Sequence, residues 1–481
     1  MKAVNGLVQK YKGMSAASKA TIWFMACSFL QKGLSFITTP IFARLLTTEQ
    51  YGTYSVYTSW MQILLIIATL RLDYAVFNKG MSKYPKDRDG YASSMLGFTT
   101  IITAVMLVVY LIFHNQLNRI TELSTVIMLA MFAEIYVAAA VNFWSLRERY
   151  EFHYKAVVAY TLAAAVFSSA FGILAVSVFE EKGTARILSN VCIYTLGGIF
   201  ITVLLFQRGK KFINFGYVRF ALLFNLPLIP HYFSAYIIEQ SDRIMIQKLE
   251  NLSAAALYSV AYTVGGLVRI ITTAITNTLI PSQYRWLERK EFQVLNKNIF
   301  SLMTGVVCLL LLVALAGPEI ILILGGKEYL PAVYVIPPVA ASVFYSFLYT
   351  VLANIEFYYG KNKFAMKLSL AGALVNVVLN YVMIPRFGFV AAAYTTMLSY
   401  IIFAAGHLFY VNRIFRREED YKGMNAKLLL GMGAIAAAAC IAVGFLYKGL
   451  AVRCLVAVVL LFAAFWKRKR LLEFLKKKTE E

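Results

Sequence analysis

Residues 66–77 read IIATLRLDYAVF, and how this stretch is read decides the fold. It sits inside an apolar block, roughly 51–78, that is long enough to cross a bilayer as a helix. Yet Arg71 stands near its middle, with Asp73 two residues on. A permanent cation at that depth is costly, so the residues around it must either belong to a soluble core or hold the charge for a purpose.

The rest of the chain excludes the soluble core. Of 481 residues, 60% are hydrophobic and only 15% charged. The apolar residues gather into fourteen blocks, roughly 19–43, 51–78, 91–113, 124–146, 155–178, 184–206, 219–241, 254–282, 298–324, 332–357, 364–385, 389–411, 424–447 and 449–466. Short basic joints separate them. A spanning helix needs about 20 apolar residues, and barrel strands are much shorter, so the blocks imply an all-α polytopic membrane protein with about 14 transmembrane helices. The first block runs on as a full span and shows no small-residue cleavage site, which argues against a removable signal peptide.

A formal charge of +23 would suit a nucleic-acid binder, but the placement of the cations points to a membrane instead. The termini and even-numbered joints hold 34 of the 47 Lys and Arg residues, and the odd-numbered joints hold 10. Positive charge marks the cytoplasmic face, so both termini are expected inside, with the basic tail WKRKRLLEFLKKK against anionic lipid. No nucleic-acid partner is expected. The five cysteines have no metal-ligand spacing, and His407 reads as a packed residue. No joint is long enough for a catalytic domain, and no nucleotide loop or nucleophile elbow occurs, so neither an enzyme nor a cofactor is expected.

The chain also repeats. Tyr54-Ser55-Val56 recurs as Tyr258-Ser259-Val260, and the same spacing of 204 residues pairs Lys86 with Lys290 and Thr100 with Thr304. Gly183 and Gly388 align at 205. Six spans per copy preserve orientation, which gives two pseudo-symmetric six-helix lobes, 1–212 and 213–417. Residues 418–481 carry two further helices and the basic tail. Transporters often place the substrate between such repeats.

With cations a few residues from a block end counted in the adjoining joint, three remain deeper inside the blocks: Lys32, Arg71 and Arg269. At helical spacing Lys32 shares a stripe with Ser28, Ser35 and Thr39, Arg71 with Tyr74 and Asn78, and Arg269 with Tyr262, Gly265, Thr272, Thr273 and Thr276. Each costs about 2.5–3.5 kcal/mol at mid-bilayer on insertion scales, so each is expected to face a cavity or a partner. The deep acids are Asp73, which the helical period turns away from Arg71, and Glu134, on an apolar face of the fourth span. Both are candidates for coupling or ion pairing. Glu239, Asp242 and Arg243, toward the external end of the seventh span, are candidates for a gate. The net positive sign favours an anion, and arginine's fork of donors favours phosphate. Pro40, Pro227, Pro230 and the pair Gly265-Gly266 mark expected interruptions of the first, seventh and eighth spans.

With these residues in view, FARLLTTEQYGTYSVY (42–57) resembles the early signature of the Wzx-type polysaccharide and oligosaccharide flippases. DRIMIQKLENLSAAALYSVAYTVGGL (242–267) resembles the matching segment of their second half, and GFVAAAYTTMLSY (388–400) their twelfth span. The resemblance covers about residues 1–417 and implies the MOP superfamily. It further implies alternating access between two six-helix lobes and transport of undecaprenyl-pyrophosphate-linked repeat units from the cytoplasmic to the outer leaflet. Membrane lipids and other polysaccharide-assembly proteins are the implied partners. Lipid II flippases of the same superfamily place cations in their first, second and eighth spans, which are the spans of Lys32, Arg71 and Arg269. Lys32 stands where an arginine is usual, so one bidentate contact to phosphate is missing there. A lipid II flippase and a MATE-like multidrug exporter are the rival transporters, and a non-transporting scaffold is the rival outside transport. The membrane potential favours outward movement of the anion, with a proton-linked path through Glu134 as the alternative.

Overall fold

A computed structural model of the chain describes residues 13–466, and no strand occurs among them. The basic tail after Trp466 lies outside the described residues. Each of the fourteen apolar blocks is a helix or a broken helix. Eleven helices are long and apolar enough to cross a membrane, or twelve if the bent pair Leu252–Gly265 and Leu267–Thr276 is one span. The remaining two blocks are Thr48–Thr69, whose first half is rich in Tyr, Thr and Ser, and the shorter apolar helix Leu450–Phe462. This is a multi-pass helical membrane protein.

Local chemistry sets many helix starts. Ser15, Ser124, Asn214, Asn251 and Asn425 each accept a backbone N–H of the first turn. Thr47 and Gln50 form a reciprocal capping box ahead of the second span.

The described residues form two compact units, one ending at Tyr236 and the other starting at Ile237. The first unit contains α1 (Ala16–Leu45), α2 (Thr48–Thr69), α3 (Ala75–Lys83), α4 (Arg88–Ile112), α5 (His114–Thr121), α6 (Thr125–Tyr150), α7 (Tyr154–Val178), α8 (Lys182–Gly209) and α9 (Phe215–Asn225). Its core has one aromatic cluster around Phe77, Tyr91, Phe143 and Trp144, and another around Tyr57, Met131, Phe132 and Ile135. Helix α9, the start of the seventh block, packs on α3 and α4.

The second unit takes in most of α10 (Ile229–Leu249), followed by α11 (Leu252–Gly265), α12 (Leu267–Glu288), α13 (Phe292–Leu315), α14 (Gly317–Leu324), α15 (Ile336–Tyr358), α16 (Asn362–Phe387), α17 (Val390–Glu418), α18 (Ala426–Phe445) and α19 (Leu450–Trp466). Helix α15 is its axis and is buried along most of its length against α17, α18, α12 and α13. Elsewhere large apolar side chains such as Phe29, Phe200, Phe445 and Leu455 point outward, as lipid-facing helices require.

The repeat is visible in the element boundaries. Helix starts at 48, 88 and 114 recur at 252, 292 and 317, which is 204, 204 and 203 residues later. Even the short helix after the third span, α5, has its counterpart in α14. A 3-10 segment, Lys327–Val335, is then inserted in the second copy, and the starts at 154 and 182 recur at 362 and 390, 208 residues later. The pairing of Gly183 with Gly388 at 205 is therefore out of register with the helices around it.

Interruptions follow the local sequence only in part. The seventh block breaks into a 3-10 turn at Leu226–Leu228, where Pro227 opens the turn and Pro230 sits in the first turn of the next helix, both tolerated positions for proline. The eighth bends by 45° at Gly266. Pro40, in contrast, does not interrupt the first span, because α1 continues through it to Leu45. The second block breaks where no proline or glycine signals it, at Leu70–Tyr74.

Candidate functional site

Arg71 occupies that break. Leu70 and Arg71 both adopt left-handed backbone angles, φ 45° and 52°, which end α2. Such angles are unfavourable for residues with a Cβ and must be held by their surroundings. Two polar groups hold them. The Thr69 hydroxyl accepts the Arg71 N–H at 3.2 Å, and the fully buried amide of Asn225 donates to the Leu70 carbonyl.

The break changes what Arg71 meets. In a continuous helix Asp73 would point away from it. Here the Arg71 guanidinium lies 3.7 Å from the Asp73 carboxylate, and the expectation of opposite faces is corrected because the helical period stops at Thr69. Asp73 also accepts from Asn142 at 3.1 Å. Three tyrosine rings surround the cation, Tyr74 at 4.8 Å, Tyr236 at 5.6 Å and Tyr232 at 5.8 Å from ring centroid to guanidinium carbon. The Arg71 Nε is buried and has no hydrogen-bond partner.

In the second unit Arg269 is likewise set at a break, three residues past Gly266. Its Nη1 meets Glu239 at 3.2 Å, and its Nε and Nη2 are buried without partners. Arg243 reaches the Glu239 carbonyl at 2.7 Å and the Ser259 hydroxyl at 3.2 Å. Both guanidiniums lie beside the Tyr262 ring, at 4.7 Å for Arg243 and 5.5 Å for Arg269. Asp242 does not join this group. It is fully buried and accepts from Tyr258, from Asn380 at 2.7 Å and from Thr396 at 2.8 Å. Lys32 is exposed on α1, and the space beside it at Gly33 is open.

Glu134 is buried in the first unit. It accepts from the Tyr57 hydroxyl and, at 3.0 Å, from Asn190. The cation acting on it is none of the three expected but Arg186. Arg186 is only 7% exposed, rests on the rings of Phe42 at 4.0 Å and Tyr54 at 4.9 Å, and leaves Nε and Nη1 without partners. Counting charge by distance to block ends had assigned it to an external joint. Its spacing with Ser189 and Asn190 on α8 is the signal that could have found it. Arg453 was assigned to a joint in the same way. It is buried too, and it clamps Glu319 through two bonds of 2.6 and 2.7 Å. His407 is packed as expected, bonded to the buried Glu356 at 2.8 Å.

Arginines at helix breaks, with buried N–H groups unmet, match what an anion carrier needs, and comparison with known proteins bears on which one. Residues 17–286 match the family described as polysaccharide biosynthesis protein. The chain belongs to this family. Among its relatives, the Lsg locus putative protein 1 of Haemophilus influenzae is 24% identical over 370 residues, covering 75% of this chain and 89% of that protein. A protein of Haloferax volcanii named as a probable low-salt glycan biosynthesis flippase, Agl15, is 22% identical over 173 residues, 35% of this chain and 37% of its own. The polysaccharide biosynthesis protein shares its fold with solved MOP-superfamily transporters. A lipid II flippase, MurJ, in an inward closed conformation has a TM-score of 0.66 at 13% identity and covers 94% of this chain and 100% of its own. An inward-facing MATE transporter has a TM-score of 0.57 at 14% identity, covering 80% and 94%.

Proposed function

We propose that this polysaccharide biosynthesis protein is a flippase. It carries undecaprenyl-pyrophosphate-linked oligosaccharide units from the cytoplasmic to the outer leaflet of the bacterial inner membrane by alternating access, with both termini cytoplasmic. The observation that carries the reading is the shared state of Arg71 and Arg269. Each sits at a helix break and has one carboxylate nearby, and buried guanidinium nitrogens lack a protein acceptor in both, Nε in Arg71 and Nε and Nη2 in Arg269. Buried donors left unmet are costly, and a pyrophosphate supplies the acceptors in the planar geometry arginine prefers. Lys32 adds a flexible point charge on the first span. The sugar remains in a wet environment while the isoprenoid stays in lipid.

The test is a vesicle assay with purified protein and a fluorescent undecaprenyl-pyrophosphate oligosaccharide. Wild type moves the head group to the far leaflet, and the Arg71→Ala/Arg269→Ala protein does not. Full transport by that double variant would overturn the proposal. Export of a cationic drug with no flipping would favour the MATE-like alternative.

A further inference from the structure

The first unit holds a second feature suited to the same chemistry, at the end where the basic joints lie. A cavity of about 950 Å³ opens among Asn78, Arg88, Arg149, Tyr150, Glu151 and Phe152. That is at the upper end of the roughly 300–1,000 Å³ usual for small-molecule sites. Its residues come from α3, the first residue of α4, the last turn of α6 and the turn that follows.

The two arginines differ in what they have left to offer. Arg88 is committed, with Glu151 at 2.9 Å, the Met81 carbonyl at 3.3 Å and the Tyr150 ring at 5.0 Å. It fixes the wall. Tyr150 is fixed in turn by the Ser82 hydroxyl at 2.8 Å. Arg149 has no carboxylate within ion-pairing distance among the described residues; its guanidinium lies on the Phe24 ring at 4.7 Å. A ring face orients a guanidinium and leaves the N–H groups at its edge for a ligand. Asn78 and Glu151 add the amide and carboxylate that sugar hydroxyls need, and Phe152 adds an apolar surface.

The geometry points to this cavity as a cytoplasmic loading site for a phosphate-bearing glycan head group, with Arg149 as its anion contact. This rests on the flippase reading. The head group of a lipid-linked sugar would dock here before it meets Arg71. Bulk anionic phospholipid carries the same phosphate chemistry but lacks the glycan that Asn78 and Glu151 would recognise.

Calorimetric titration with inorganic pyrophosphate tests it, on the full chain in phosphatidylcholine nanodiscs. The background is Arg71→Ala/Arg269→Ala, so that the two break arginines contribute nothing. Pyrophosphate is expected to bind at one site. Arg149→Ala should weaken that binding at least about tenfold, as loss of a charged hydrogen bond does, while Arg149→Lys retains part of it. Asn78→Asp, at an exposed position that leaves the fold intact, should weaken it too by bringing a like charge to the anion. Replacing a third of the lipid with phosphatidylglycerol should leave binding in place. Three results would overturn the inference: no binding in this background, binding unchanged by both Arg149→Ala and Asn78→Asp, or binding abolished by phosphatidylglycerol. None of them bears on whether Arg71 and Arg269 support flipping, which the vesicle assay reads separately.

Discussion

Arg71 and Asp73 stand 3.7 Å apart, although only Leu72 separates them and a helix would have turned them away from each other. The left-handed pair Leu70–Arg71 makes the contact, so the carboxylate competes with any anionic ligand for one guanidinium. Asp73→Asn is therefore expected to tighten pyrophosphate binding at Arg71, and Arg71→Lys to weaken it, because the planar fork is lost. Arg71→Ala should cost on the order of 1.5–3 kcal/mol of binding. Binding curves for the three single variants check the order, and an Asp73→Asn protein that binds more weakly than wild type would contradict it.

The break itself depends on Asn225. Its amide is fully buried and donates to the carbonyl of Leu70. Asn225→Ala leaves that carbonyl unmet and is expected to lower stability by about 1–3 kcal/mol. It should also reduce flipping, since the left-handed turn presenting Arg71 loses its support. Thermal melting and the vesicle assay read the two effects. A variant with unchanged melting and transport would show that the turn is held by other contacts.

Glu134 allows a test of energy coupling. It already accepts from Tyr57 and Asn190 and lies in the field of Arg186. Glu134→Gln keeps the shape but sets an amide donor against a donor, so stability should fall by about 1–3 kcal/mol. Outward transport of an anion is assisted by an inside-negative potential, by about 2.3 kcal/mol per charge per 100 mV. Transport by Glu134→Gln is thus expected to continue under an imposed potential. Transport that needs a pH gradient and stops in Glu134→Gln would establish proton coupling instead.

At the basic end of the first unit, Asp87 accepts from Lys211 and Tyr217. Burial pushes its carboxyl up, but the hydrogen bonds from Lys211 and Tyr217 outweigh that and hold it below the ordinary value. A depressed carboxyl contributes stability above its unfolded pKa, near 3.9, and loses it as pH falls through the folded value. Because a third of the side chain stays open to solvent screening, the contribution is small. Asp87→Asn should melt slightly lower than wild type at neutral pH, and the gap should close in strong acid. A gap that widens with acid would reverse the sign.

What the sequence could tell depended on whether a position kept its period. The helices rest on long apolar runs, and these were legible; eleven or twelve of them are long and apolar enough to span, against the fourteen expected. The eighth-span bend was also legible, since Gly265-Gly266 is a pair that helices avoid. The bend at Leu70–Arg71 was not. Leucine and arginine are poor markers of a left-handed turn, and its supports come from Thr69 and, 155 residues on, Asn225. Arg186 and Arg453 were missed because distance to a block end does not tell a solvated cation from a buried one. The rings of Phe42 and Tyr54, and the carboxylate of Glu319, decide that in three dimensions.

The matched helix starts also carry a history. Offsets stay at 203–204 residues through the first half of each copy and settle at 208 afterwards, the pattern that tandem duplication of one unit would leave. The change of register falls at the 3-10 segment Lys327–Val335, which has no counterpart in the first copy. Because an even number of spans returns the chain to the side where it began, the two copies could be joined without inverting either, and each could then acquire its own arginine at its own break.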